Sequence, residues 1–416
     1  MHGAVVGAGV EERSGLGSNP DHYPTLAMSL WQQHELGYLD EGASPTTIRG
    51  PGFPSWLAVA IALDIADGRW LGVWAALPTI AITAGFAAWL TRRIGARHAL
   101  LFGFVTLMHP LPAFVSSRTM SDEFYAALGL AAVWSWVTAL SPSVGRSRWR
   151  WVVGSGAALA LQVLTRPTGL LTLGAIVVVT LLATRRAKRD RVFDAARSRW
   201  RELSVLVLLA LLPALAWSVR SSKLEGRVLF VHSLAAYNFW YGEALDRLPL
   251  EDERGRSHGL AVEQILRLGG KDPSAAPKFW YGTLTPRDVA ALETRLSQAA
   301  RENIVEHPLQ YTARVLRGMV WFWVRAETKT RTLQYVVAIV PLLLLALYGA
   351  WRGTGNLDGS LRRMAHLSVG LLLAHDLAYA ATLPMARMCV QVFPLLTLLA
   401  VLGVRAIAQK VLANRQ

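Results

Sequence analysis

Residues 203–220 read LSVLVLLALLPALAWSVR. From Leu203 to Val219 no side chain carries a charge, and the run approaches the roughly 20 residues that a helix needs to cross a bilayer. A helix this apolar has no polar face to turn toward water. Comparable runs lie at 70–90, 99–117, 124–142, 151–165, 167–184, 333–351, 364–383 and 387–407. Together they predict about nine spans of bilayer length. The composition agrees: the chain is 53% hydrophobic and 17% charged, with a mean hydropathy of +0.32. The expected fold class is an all-α polytopic membrane protein, because soluble helices keep a polar face.

The net charge of +15 would suggest nucleic acid in a soluble protein. Here the basic residues cluster in short loops between apolar runs, the pattern of cytoplasmic anchoring, so no nucleic-acid partner is expected. Arg92, Arg93 and Arg97 follow the first run, and Arg146, Arg148 and Arg150 follow the third. A basic stretch from Arg185 to Arg201 follows the fifth. Arg352, Arg362 and Arg363 follow the seventh, and Arg405 and Lys410 lie at the end of the last. With alternating spans all of these fall on one side, expected to be cytoplasmic. Residues 1–69, the Ser117–Glu123 turn, residues 221–332 and the turn at Pro384 fall on the other.

This organisation divides the chain into five parts. Residues 1–20 contain neither a spanning run nor a signal peptide and are expected to be disordered or truncated. A first span ahead of them is expected to be missing. Residues 21–69 form a first extracytoplasmic loop with juxtamembrane helices, and 70–220 the first part of the bundle. Residues 221–332 are expected to be a partly helical extracytoplasmic domain, since so long a connection is functional or a small domain. Within it, 286–304 reads as a helix, and 308–324 as a helix at the interface or returning toward the membrane. Residues 333–416 complete the bundle. Arg166-Pro167 marks either one broken helix or two helices meeting at a turn.

The residues that could carry chemistry gather on the extracytoplasmic side. Asp21 opens the polar segment DHYPTLAMSLWQQHELGYLDEGASPTTIRGPGFPSWLA. It could serve as a general base or as the N-cap of a helix starting near Pro24. Arg49-Gly50-Pro51-Gly52-Phe53-Pro54 is a rigid turn. Its arginine could hold a phosphate through paired hydrogen bonds or snorkel to the headgroups. Arg118, Asp122 and Glu123 stand at the turn before the third run, with acids expected to face outward or Ser121 to cap the helix. Arg166 and Arg387 are charges at the edges of apolar runs, where a cavity or a partner is needed. The same applies to His375 and Asp376. The single cysteine, Cys389, excludes a disulfide framework and a cysteine-based metal site. The histidines show no ligand spacing, so no metal site is assigned. Carboxylates with water could hold Mg²⁺, which leaves a divalent cation open.

Taken in order, these pieces resemble a known family. Asp21, Tyr23, Ala27, Gly37 and Thr47-Ile48-Arg49-Gly50-Pro51-Gly52-Phe53-Pro54 resemble the first external loop of the C-type (GT-C) membrane glycosyltransferases. The likeness is to the branch of protein O-mannosyltransferases and lipid A aminoarabinose transferases. Ser121-Asp122-Glu123-Phe124, Thr165-Arg166-Pro167-Thr168 and Asn238-Phe239-Trp240-Tyr241-Gly242 resemble later family segments. So do His307-Pro308 with Tyr311 and Trp321-Phe322-Trp323, and Arg387 with Pro394. The chain departs from the family at His22, where a second acid is common, and at Met388, where tyrosine is usual. Its turn is also Arg-Gly-Pro-Gly-Phe-Pro rather than Arg-Pro-Pro-Gly-Tyr-Pro.

The resemblance implies a GT-C-like bundle and inverting transfer of a sugar from a polyprenyl-phosphate donor to an envelope glycan, lipid or protein. It assigns catalysis to Asp21 and Glu123, and the donor phosphate to Arg49, Arg166 and Arg387. Tyr23, Asn238 and Trp240 become substrate contacts, with membrane lipids around the bundle. Two other readings are a lipid or sugar transporter or flippase, and an inactive scaffold for envelope assembly.

Overall fold

A computed structural model describes residues 22–37, 45–65, 68–116, 119–189, 193–232, 234–248, 256–279, 284–326, 328–355 and 357–414. The expectations for residues 1–20, Asp21 and Arg118 lie outside these. In chain order the helices are α1 (Tyr23–Gln33), α2 (Gly52–Ala62), α3 (Gly68–Ile94), α4 (Ala96–Met108), α5 (Pro110–Ser116) and α6 (Ser121–Ala139). They continue with α7 (Arg148–Thr165), α8 (Gly169–Arg189), α9 (Phe193–Glu225), α10 (Ala235–Arg247) and α11 (Arg256–Leu268). The last are α12 (Pro286–Glu306), α13 (Pro308–Val324), α14 (Lys329–Arg352), α15 (Gly359–Ala380) and α16 (Phe393–Ala413). Among the described residues the only β-type pairing is an isolated bridge between Gly37 and Pro45.

Every apolar run read from the sequence coincides with a helix or a pair of helices. Among the described residues five segments are long and apolar enough to cross a membrane: Trp70–Ile94, Ala96–Val115, Arg199–Glu225, Lys329–Arg352 and Ala386–Ala413. The others are shorter or carry polar residues. The apolar part of α8 is Gly169–Leu182. α6 has Asp122 and Glu123 in its first turn, yet most of its side chains are buried. A helix packed on all sides is sheltered by its neighbours.

The chain divides into two compact units. The second comprises Arg69–Ala216, Pro341–Ala374 and Val390–Gln416. Its helices meet closely through small residues and buried polar links, as membrane helices do. On α6, a Cβ at Gly129 would lie 2.6 Å from the Gln162 amide of α7. Ser155 Oγ donates to Ala132 O at 2.8 Å. Trp136 of α6 donates to Thr180 Oγ1 of α8 at 3.0 Å. α14 and α16 touch backbone to backbone, since a Cβ at Gly403 would sit 2.1 Å from Leu345 O. Arg166-Pro167 is the junction of two helices. Arg166 is extended, at φ −150° and ψ 134°, because the following proline disfavours the helical region.

The first unit comprises Met1–Gly68, Trp217–Val340 and His375–Cys389. α1 packs on α2. α10 packs on α11 and α12, and α11 shares a small core of Val262, Leu266 and Ala276 with Phe279. Thr285 caps α12 by accepting from Asp288 N–H at 3.3 Å, while its hydroxyl donates to the Asp288 carboxylate at 2.7 Å. α12 and α13 lie where helices are read at 286–304 and 308–324.

Candidate functional site

In the first unit the polar loop is pinned by backbone bonds and one arginine. Thr46 N–H donates to Leu36 O at 2.7 Å. Arg220, near the end of α9, donates to Thr46 O at 3.3 Å and to Glu35 at 3.2 Å. α1 begins at Tyr23 with His22 as the N-cap residue, in the left-handed region at φ 48° and with no side-chain cap bond. Tyr23 is buried and meets Phe53 of the Gly-Pro turn edge to face, 5.1 Å between centroids.

Arg49 is half-buried on the bend that precedes this turn. Its charge acts on Tyr237 of α10, so the first loop and the Asn238 segment are neighbours within this unit. Burial pushes the Tyr237 phenol up to about 12, against the pull of Arg49. The phenol therefore keeps its proton at neutral pH. Asn238 is half-buried. Trp240 is buried, and its indole donates to Leu296 O of α12 at 2.9 Å. Glu293 of α12 accepts the N–H groups of Ala236 and Tyr237, both at 3.0 Å, capping α10 from a neighbouring helix. Burial raises the pKa of the Glu293 carboxyl, opposed by those two bonds.

α10 also receives a deeply enclosed charge from α13. Arg314 of α13 is 2% exposed. It pairs with Glu243 at 3.2 Å and donates to Thr382 O at 2.6 Å. Gly242 makes room for this: a Cβ there would lie 2.0 Å from Thr382 O. Gly318 of α13 likewise abuts the Ala380 backbone. The Asn-aromatic-Gly segment thus seats the end of α15. Arg387 is half-buried in the short 3₁₀ turn Ala386–Val392, whose first N–H donates to Arg325 O at 2.7 Å.

The second unit holds Glu123 and Arg166. Arg166 forms an ion pair with Asp122 at 2.9 Å and donates to Ser121 Oγ at 3.1 and 3.3 Å. Gln391 donates to the same Asp122 oxygen at 3.1 Å. Asp122 is fully buried instead of facing outward. Met120, not Ser121, is the N-cap residue of α6, and the Ser121 hydroxyl serves Arg166. Glu123 is half-buried, and its carbonyl accepts from Thr79 at 3.3 Å. An acid and a hydroxyl thus fix this arginine at a helix break.

Tyr23, Arg49, Asn238, Trp240 and Arg387 therefore belong to the first unit, Glu123 and Arg166 to the second. Asp21 lies outside the described residues. Sequence reasoning missed Tyr237, Arg314 and Gln391, and did not join Asp122 to Arg166. For Asp122 the signal was present: an acid and a base beside apolar runs each need a partner. Among the described residues, no three His, Cys, Asp or Glu side chains gather where they could hold a metal ion.

No protein-family model and no curated protein matches the sequence. Solved structures do match. The Archaeoglobus fulgidus oligosaccharyltransferase in its apo form aligns with a TM-score of 0.51 and 13% identity over 100% of this chain and 51% of that one. At that identity the likeness is one of fold: an all-α chain with apolar helices of bilayer length. ArnT from Cupriavidus metallidurans bound to undecaprenyl phosphate aligns with a TM-score of 0.41 and 15% identity, covering 98% of this chain and 77% of that one. The chain spans about half the length of the archaeal enzyme.

Proposed function

We propose that this chain is an integral-membrane glycosyltransferase. It transfers a sugar from a polyprenyl-phosphate donor, with inversion, to an envelope glycan, lipid or protein on the extracytoplasmic face. The observation that carries the reading is the fold, matched along the whole chain by an oligosaccharyltransferase. The ordered motifs from Asp21 to Pro394 support it, through their resemblance to the branch of protein O-mannosyltransferases and lipid A aminoarabinose transferases.

In this reading Asp21 takes the proton of the acceptor hydroxyl, with Glu123 as a second acid. The acceptor oxygen bonds to the anomeric carbon, whose bond to the phosphate oxygen breaks, and polyprenyl phosphate leaves. Arg49, Arg166 and Arg387 stabilise the charge that develops on that phosphate. Tyr23, Asn238 and Trp240 shape the substrate side. A lipid-linked donor needs no nucleotide-binding fingerprint.

The test is Asp21→Asn in membranes supplied with a labelled polyprenyl-phosphate sugar. Transfer should fall by about 10²–10⁴-fold, the usual contribution of a general base. Full transfer by the variant would remove Asp21 from that role. Lipid movement across liposomes by the purified wild type, without sugar transfer, would replace the enzyme with a transporter.

A further inference from the structure

The basic face of the second unit carries an arrangement that the proposed reaction does not use. Asp358, just before α15, accepts the N–H groups of Ser360 and Leu361 at 2.8 and 2.9 Å. The same carboxylate pairs with Arg93 of α3 at 3.3 Å. The Arg93 guanidinium lies 3.8 Å from the centroid of the Trp89 ring. Arg363, near the start of α15, donates to Ser360 Oγ at 3.5 Å, and among the described residues its buried Nε finds no hydrogen-bond partner.

Two charges act on Arg363: Arg199 of α9 repels it and Asp358 attracts it. The next acid on α9, Glu202, is engaged by Arg148 at 2.9 Å. Arg93 thus engages the carboxylate that also caps α15, while Arg363 stands within the field of both that carboxylate and Arg199. Among the described residues, two half-buried arginines, Arg199 and Arg363, act on each other, and the Arg363 Nε is unspent. Guanidinium groups so placed match the paired oxygens of a phosphate.

We propose that this cluster binds the phosphate of an anionic phospholipid headgroup from the adjoining leaflet. Its surroundings favour a lipid over a soluble anion. Trp200, next to Arg199, is 50% exposed, and Trp351 is 71% exposed with Arg352 stacked on it at 4.3 Å. Exposed tryptophan beside arginine at the ends of apolar helices marks the membrane–water boundary. Basic pockets between helices at that depth are suited to lipid headgroups. The proposal does not depend on the sugar-transfer reading.

The experiment reconstitutes the full chain in nanodiscs of mixed phosphatidylglycerol and phosphatidylcholine, then measures retained lipid by native mass spectrometry after mild delipidation. The wild type should keep phosphatidylglycerol several-fold over phosphatidylcholine. The double variant Arg199→Gln/Arg363→Gln should lose that preference, while Arg150→Gln, an exposed arginine on the same face, should retain it. Equal retention by the wild type and the double variant overturns the site. Displacement of the lipid by millimolar inorganic phosphate overturns the lipid as its occupant. If the double variant does not fold, the wild type decides alone. Its melting temperature in detergent should rise with added phosphatidylglycerol and not with phosphatidylcholine, and equal melting overturns the proposal.

Discussion

Asp122 has no exposed surface and shares its Oδ1 between Arg166 at 2.9 Å and Gln391 at 3.1 Å. Removing one partner of a buried ion pair leaves an uncompensated charge, at a cost of about 3–5 kcal/mol. Asp122→Ala should therefore lower stability by about that amount, read as earlier melting in detergent. In a double-mutant cycle with Arg166→Ala the losses should be strongly non-additive. Simple addition would show that the two side chains do not depend on each other. The need of Arg166 for a partner was legible in the sequence, but the identity of the partner was not. Ser121, Asp122 and Glu123 follow one another around a helix that advances about 100° per residue. Order along the chain does not tell which of them turns toward α7.

At the scale of elements the apolar runs were legible almost throughout, because bilayer length and absence of charge are written directly in composition. The helices read at 286–304 and 308–324 stand in the structure as Pro286–Glu306 and Pro308–Val324, each opened by a proline, with Thr285 capping the first. Close backbone contacts were not legible. Gly242 and Gly259 look alike in the sequence, yet Gly242 lies against Thr382 O while Gly259 faces open space. Gly242→Ala should destabilise by about 1–3 kcal/mol, as overpacking does. Gly259→Ala, inside α11, should be neutral or gain about 0.5–1 kcal/mol from helix propensity. Thermal melting of the two variants separates these outcomes, and equal effects would remove Gly242 from its spacer role.

For the whole molecule, the grouping of distant segments exceeded what a reading along the chain can reach. The first unit joins residues 1–68 to 217–340 and 375–389, and its loop is tied by Arg220 to Glu35 at 3.2 Å. No periodicity signals such a pairing. Orientation, by contrast, rests on the arginine-rich loops and can be checked directly. Cys389 is fully buried, so it leaves a silent background for thiol labelling. In intact cells a membrane-impermeant maleimide should label Lys271→Cys, and should label Arg150→Cys only after permeabilisation. Labelling of both from one side, or the reverse pattern, would refute the assigned orientation.

The bond between Asp122 and Gln391 joins residues 269 positions apart. At ordinary translation speed, about 5–20 residues per second, roughly 15–50 s separate the synthesis of the two partners. During that interval the acid of α6 sits in the nascent chain with Arg166 already made and the last helix still to come. The insertion machinery, or a chaperone beside it, has to shelter a half-built polar contact in lipid. Truncation ahead of the turn Ala386–Val392, which carries Gln391, should therefore leave a chain that is marked for degradation at α6, far from the cut.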